Sequence, residues 1–445
     1  MNLRSEGGGG RSLLRRDLIG WSFYDFANTI YSMNIVSLYL KRYIVEDLGK
    51  DDRYFDIPFS ISMLLAALLL PALGAMSDHA TRKKIFLFLF TVTCCLATGF
   101  MAIVPPTALV ALTLLFIIAN FSYEAGQPFY NSLLYSVADG REARWVSGVG
   151  VALGYVGSVV GMLVVLPFVT GGLFSIEVPF IEAGGKVAAF LPSAVLFMFF
   201  ALPLFLWVRE KPVARVETTS FVAAYREVWA GLRETKKYPG VLRFLIADYF
   251  FEDVVTTVIL NIGLYCSLVI GFGEAEINYF LIVSTISAVI GSFLMGKIAR
   301  HWSLKKLLNL IVWGWVIVLI LFVVFDNRVA VWILGPIVGI LMGGLWTTSR
   351  PLLAELVPRA ELGRFFGIFS LSGRAAAVVG PLIWTTIVYY LSAREAEHGT
   401  SVNFFGIDTI HQLPYKAALL SLVVMLLVGL FIFRKVPDPQ EVSRG

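Results

Sequence analysis

Apolar runs of about twenty residues recur along this chain from Leu18 to Phe433, and a run of that length spans a hydrocarbon layer of about 30 Å as a helix. Composition agrees: of 445 residues, 58% are hydrophobic and 15% charged, with mean hydropathy +0.78, whereas a soluble domain carries about a quarter charged residues. The pattern predicts twelve membrane helices, at 18–40, 57–79, 84–104, 108–135, 143–168, 188–208, 241–268, 275–299, 306–325, 329–353, 364–391 and 412–433. Pro128, Pro351 and Pro381 fall inside spans, where neighbouring helices and side chains can re-satisfy the backbone. Cys94, Cys95 and Cys266 lie in apolar surroundings and suggest neither a disulfide framework nor a metal site. The segment before Gly20 lacks the apolar core and cleavage site of a secretory signal, so the first span is expected to stay in the membrane.

Orientation follows from Lys and Arg in the short connections. One side receives Arg11, Arg15 and Arg16, then Arg82, Lys83 and Lys84, then Arg141 and Arg144, then Lys305 and Lys306, and finally Arg434 and Lys435. The other receives "KRYIVEDLGKDDRYFDIP", with four bases against five acids, and the acidic Glu274 and Glu276. Both termini are therefore expected in the cytosol, in a multi-pass protein of the cell inner membrane. The net charge of +5 is spent on these loops, which gives topology rather than nucleic-acid binding.

The longest connection, 209–240, is basic, and its Phe221, Tyr225, Trp229 and Leu232 recur about one turn apart, as in a helix lying on the inner surface. It divides the chain into an N-terminal six-helix bundle (1–208), the amphipathic linker (209–240) and a C-terminal six-helix bundle (241–445). An internal repeat supports the division. "GAMSDHATRKK" from Gly74 and "GKIARHWSLKK" from Gly296 share glycine, histidine and paired lysines at the same offsets, after spans two and eight. "NSLL" at Asn131 and "RPLL" at Arg350 likewise end spans four and ten. A duplicated six-helix unit builds a cleft between its halves.

"GAMSDHATRKK" resembles the loop signature of the major facilitator superfamily. "WSFYDFANTIYS", "GYVGS" and "SRPLLAELVPRAELGRFFGIFSLSGRAAAVVGP" resemble the vacuole-effluxer-like branch of that superfamily, whose fungal members are associated with amino-acid export from the vacuole. The resemblance implies an all-α, twelve-transmembrane-helix fold of two pseudo-symmetric bundles, functioning as a monomer without cofactor or metal. It also implies a gate latch at Gly74, Asp78 and Arg82. The second copy departs from the signature, with Arg300 where Asp78 would fall, and "FED" in span seven is followed by Val254 and Val255 where relatives keep glycine and glutamine.

Polar residues inside spans are costly in lipid and mark the interior or the cleft. Asn120, Glu124, Gln127 and Asn131 draw one helical stripe on span four, and Asp25, Asn28, Thr29 and Ser32 draw another on span one. Tyr24 and Tyr31 add hydroxyls that can bind a ligand or anchor packing. Span seven offers Glu252 and Asp253, adjacent and so on different faces, with Glu252 the one expected in the cleft and Asp253 at a gate. Arg374, deep in span eleven, needs a carboxylate or an anionic ligand, with Glu124, Asp25 and Glu252 as candidates. Arg350, near the end of span ten, suits a cytosolic gate. Glycine seams are read on span five (Gly148, Gly150, Gly154, Gly157, Gly161) and span eleven (Gly363, Gly367, Gly373, Gly380) as close helix crossings.

Together these features predict an alternating-access secondary transporter of a small polar or zwitterionic solute, with protons as a candidate coupling ion and lipids as its surroundings. A lipid-like or amphipathic cargo is the competing reading, given cleft-capable aromatics at Phe26, Tyr123, Phe129, Trp346 and Trp384. No phosphate-binding loop or nucleophile signature supports nucleotide use or an enzyme, and a channel or sensor is distinguished by conductance or by binding without flux.

Overall fold

In lipid each backbone N–H and C=O must find a partner within the protein, so the apolar runs close into helices. The computed structural model describes residues 15–79, 82–138, 140–173, 176–177, 179, 181–210, 225–226, 229, 233, 237–238, 240–299, 301–357, 362–398 and 412–438. Twelve long helices follow one another in this described part. The first six are α1 (Arg16–Tyr31), α2 (Arg53–His79), α3 (Lys83–Met101), α4 (Leu109–Val137), α5 (Gly140–Thr170) and α6 (Phe190–Trp207). The second six are α7 (Val241–Leu268), α8 (Glu274–Ile298), α9 (Leu304–Val324), α10 (Arg328–Leu356), α11 (Leu362–His398) and α12 (Leu413–Phe433). A two-residue antiparallel ladder, β1 (Gly172–Leu173) with β2 (Ile176–Glu177), tightens the connection after α5. Nine of the described helices, α3 to α6 and α8 to α12, are long and apolar enough to cross a membrane. The three that complete the twelve carry charge within them: Asp25 on α1, Asp56 on α2, and Asp248, Glu252 and Asp253 on α7.

The same helix pairs pack in both halves. In the first, α1 packs on α5 and α6, α2 on α4, and α3 on α4 and α6; in the second, α7 packs on α11 and α12, α8 on α10, and α9 on α10 and α12. The halves meet along α2 with α11 and α5 with α8. An even number of long helices puts the start of α1 and the end of α12 on one face, here called the termini face.

Two sequence expectations need correction. Span one does not stop near residue 40: it continues as π-helix over Ser32–Tyr39, a short α segment Leu40–Arg42 and a second π stretch Tyr43–Asp47. The apolar Tyr39, Leu40, Tyr43 and Ile44 stay buried along this extension and carry Lys41 and Arg42 in with them. The glycine seam also differs. On α5 it holds, since a Cβ on Gly157 would stand 2.2 Å from the Phe26 carbonyl oxygen of α1. On α11 it holds at Gly380, where a Cβ would stand 2.2 Å from Thr257 Oγ1 of α7, whereas Gly367 and Gly373 face open space, with nothing within 4 Å of an added Cβ. The matching seam of the second half is on α10, where a Cβ on Gly339 would stand 2.1 Å from the Ser284 carbonyl oxygen of α8. α11 instead bends, with Ala377 at ψ 15° before Pro381. The linker expected at 209–240 lies largely outside the described residues.

Gly157→Val and Gly339→Val should each cost on the order of 1–3 kcal/mol by overpacking a backbone crossing, lowering the melting temperature in detergent. Gly373→Ala should leave it unchanged or raise it, because a helical glycine facing open space gains from a methyl group.

Candidate functional site

The polar stripes of α1 and α4, both in the first half, border a cavity of about 1260 Å3 that the second half faces. Asn120, Glu124, Gln127 and Asn131 of α4 all line it, as their shared helical face requires, together with Asp25 and Ser32 of the first helix. The second half contributes Glu252, Trp346, Arg350 and Arg374. Its wall reaches Lys83, Ser132, Leu134 and Gly367, residues at the α3, α4 and α11 ends of the termini face, so the cavity is directed there. A second space of about 470 Å3 adjoins it and shares Asp25, Ser32, Tyr123, Gln127 and Trp346. Asn28 and Thr29 close one side of this space, and Phe280, Phe322, Val338 and Met342 give it an apolar far wall.

One ion pair in the cavity crosses the seam. Arg374 Nε donates to Glu124 Oε2 at 3.0 Å, joining α11 to α4, with both side chains mostly shielded from solvent. Within the second half, Trp346 Nε1 donates to Glu252 Oε2 at 2.9 Å. Asp25 accepts from Asn28 Nδ2 at 3.3 Å, and Asn120 Nδ2 donates to Ser62 Oγ at 2.8 Å. Thr29 Oγ1 donates to the Gly154 carbonyl at 2.7 Å and ties α1 to α5 beside Asp25.

Some candidates sit elsewhere. Tyr24 is buried inside the first half, its hydroxyl 2.7 Å from Thr91 Oγ1 and its ring stacked on Tyr130, so it anchors packing and does not face the cavity. Asp253 is fully buried, and both its oxygens accept from the Gly380 N–H, at 2.8 and 2.9 Å. The bend at Ala377 frees that N–H from the helix ladder, and Asp253 satisfies it, joining α7 to α11 inside one half rather than forming a gate. Phe26, Phe129 and Trp384 are buried in packing positions, whereas Tyr123 and Trp346 face the cavity. Arg82 is exposed in the turn before α3. The surroundings of Gly74 and Asp78 lie outside the described residues, as does Arg300. Among the described residues no group of three or more His, Cys, Asp or Glu could hold a metal ion.

The face opposite the termini is closed by ionic contacts that the sequence pattern did not single out. Lys41 Nζ lies 2.9 and 2.7 Å from the two oxygens of Asp56, 3.4 Å from Asp52, and donates across the seam to Asn261 Oδ1 of α7. Arg42 bonds both oxygens of Glu274 at 2.8 Å while holding Glu46, and Lys186 reaches Asp47, Glu46 and Glu274. Tyr39 donates to Asn278 at 3.1 Å, and Trp384 and Tyr415 of the second half donate to Asp52 at 3.3 and 3.2 Å. The sequence held a partial signal: the apolar Tyr43, Ile44 and Val45 follow Lys41 and Arg42, but the π-helical stretches take them out of α-helical register.

The scan against family models matches the vacuole effluxer Atg22-like family over residues 135–396 and the Major Facilitator Superfamily over 3–162. Among curated proteins, the chain is 24% identical over 428 residues to an uncharacterized MFS-type transporter, YxiO, of Bacillus subtilis, covering 94% of each chain. It is 24% identical to Autophagy-related protein 22 of Kluyveromyces lactis, covering 83% of this chain and 87% of that one. Among solved structures, a bacterial homologue of the human lysosomal transporter Spinster superposes with a TM-score of 0.72 at 15% identity, over 96% of this chain and 98% of that one. A mutant of the nucleoside transporter NupG gives 0.71 at 15% identity, over 95% and 99%.

Removing one member of a shielded ion pair leaves the other charge uncompensated and costs more than removing both. Glu124→Gln and Arg374→Gln should therefore each destabilise the protein, and the double substitution should recover about 0.5–3 kcal/mol of coupling in a double-mutant unfolding cycle.

Proposed function

The chain belongs to the vacuole effluxer Atg22-like family of the major facilitator superfamily, and on that footing we propose that it exports a small zwitterionic solute, an amino acid being the type case, by alternating access. The observation that carries this reading is the cavity itself: it is directed toward one face, tied shut at the other, and bridged at mid-depth by Glu124 and Arg374 from opposite halves. An ammonium group entering there meets Glu124, Glu252 and Asp25, and a carboxylate meets Arg374 and Arg350. A solute carrying both charges can replace the Glu124–Arg374 bridge by its own two contacts. Binding then alters the tie between the halves, which is what a ligand must do to shift a conformational equilibrium. Residues 1–208 and 241–445 are taken as the two moving bodies, with 209–240 as their tether.

The basic loops assign the termini face to the cytosol by the positive-inside rule. On this reading the protein acts as a monomer in the cell inner membrane, loading from the cytosol and releasing outward, with protons as the coupling ion. The apolar far wall of the smaller space, built by Phe280, Phe322, Val338 and Met342, favours a second reading, an amphipathic cargo held by its polar end at Asp25 and Gln127.

Proteoliposomes carrying the purified protein should exchange internal for external labelled amino acid, and Glu124→Gln and Arg374→Ala should each lower that exchange by at least about tenfold, the effect of about 1.4 kcal/mol lost at the binding step. Undiminished exchange in both variants contradicts the zwitterion reading. Inhibition by single-chain amphiphiles, with no amino-acid exchange, replaces it by the second.

A further inference from the structure

The cluster Lys41, Asp52 and Asp56 is nearly sealed from solvent, at 1%, 2% and 0% exposure, and it lines neither of the two cavities. It contains one cation and two carboxylates. The other nearby cations are engaged elsewhere: Arg53 pairs with Asp51 at 3.4 Å and lies over the Tyr389 ring, and Lys416 on α12 pairs with Asp326 at 2.8 Å. With both carboxylates ionised, the cluster would bury a net negative charge, which costs several kcal/mol in a dry site. One proton removes that cost.

The partners are divided between the halves. All three ionisable members belong to the first half, on the α1 extension and at the start of α2. Among the described residues the second half supplies only neutral groups: Asn261 of α7 to Lys41, and Trp384 of α11 and Tyr415 of α12 to Asp52. Asn261 is fixed in orientation, because its amide donates to the Thr257 carbonyl at 2.7 Å and leaves the oxygen for Lys41. With Lys41 beside it at 3.4 Å, Asp52 thus has three hydrogen-bond donors or cations around it, whereas the Asp56 carboxylate has Lys41 alone among the described residues. Phe55 closes the site from below, 5.7 Å from Lys41 Nζ.

We propose that this cluster is a proton-binding site, with one proton held on Asp56 while the halves are closed at the face opposite the termini, and released when they part there. Parting withdraws Asn261, Trp384 and Tyr415 and admits water, so the Asp56 carboxylate becomes solvated and its proton leaves to that side. The closed form holds one more proton than the form open at this face, so raising the pH favours opening. The inference rests on the alternating-access reading and makes opening of this face proton-linked, the proton being taken up from and returned to that same side as the halves close and part.

Two measurements on the full-length protein test it without any flux. Infrared difference spectroscopy should show the C=O stretch of a protonated buried carboxyl in the closed form. Spin labels at Ile103→Cys and Val329→Cys, which are 75% and 70% exposed, should report an open-to-closed ratio at this face that rises about tenfold per pH unit, the slope of one linked proton. Asp52→Asn and Asp56→Asn should each abolish both signals, and Asp17→Asn, at the other face, should keep both. A protein lacking the carboxyl band, or a distance distribution that ignores pH, overturns the proposal, as does a titration that survives in both Asn variants. If the proton-linked opening is found while no solute is ever moved, the transport reading fails and the proton site stands.

Discussion

Lys41 cannot be buried in a membrane protein alone, and the way its charge is met organises much of the molecule. Its ammonium is held by carboxylates of its own half and by one neutral oxygen of the other. A contact of this kind is strong while dry and dispensable once wet, because water can replace the Asn261 carbonyl but cannot enter while the halves are pressed together. The same logic extends to Arg42 and Lys186, which share Glu274 across the seam. Closure at this face and exposure of the cavity at the other are thus two aspects of one arrangement.

The cavity follows from that closure. Helices α2 with α11 and α5 with α8 form the contact lines between the halves, and the space left between them receives the polar stripes of α1 and α4. Arg374 is tolerated at depth because Glu124 reaches it from the opposite half. Asp253 is tolerated for a different reason, since a bent α11 offers it a backbone N–H that would otherwise be unsatisfied. Two carboxylates on neighbouring residues of one helix therefore have separate uses: Glu252 faces the cavity, and Asp253 holds the fold.

Much of this was legible in the sequence where periodicity and charge point the same way. Twelve apolar runs fix the helix order, and steps of four, three and four residues put Asn120, Glu124, Gln127 and Asn131 on one face before any contact is known. Periodicity fails where helical geometry changes. The π-helical stretches after Tyr31 shift the register of the first helix, which is why Lys41 and Arg42 read as loop residues and are found deep in the seam. It also cannot distinguish a glycine that admits a neighbouring helix from one that borders a cavity: Gly157 is the first kind and Gly373 the second. Tyr24 shows the same limit for hydroxyls, because spacing gives its face but not that Thr91 and Tyr130 occupy it.

The central claim is that the face closed by Arg42, Glu46 and Glu274 must open and close in every cycle. Both carboxylates reach the same guanidinium, Glu46 at 3.1 Å and Glu274 at 2.8 Å, so cysteines placed at these two positions can be joined by a short, cleavable thiol-to-thiol reagent. Joining them should stop solute exchange in proteoliposomes, and cleaving the bridge should restore it. Exchange that continues at full rate with the halves bridged would contradict the account.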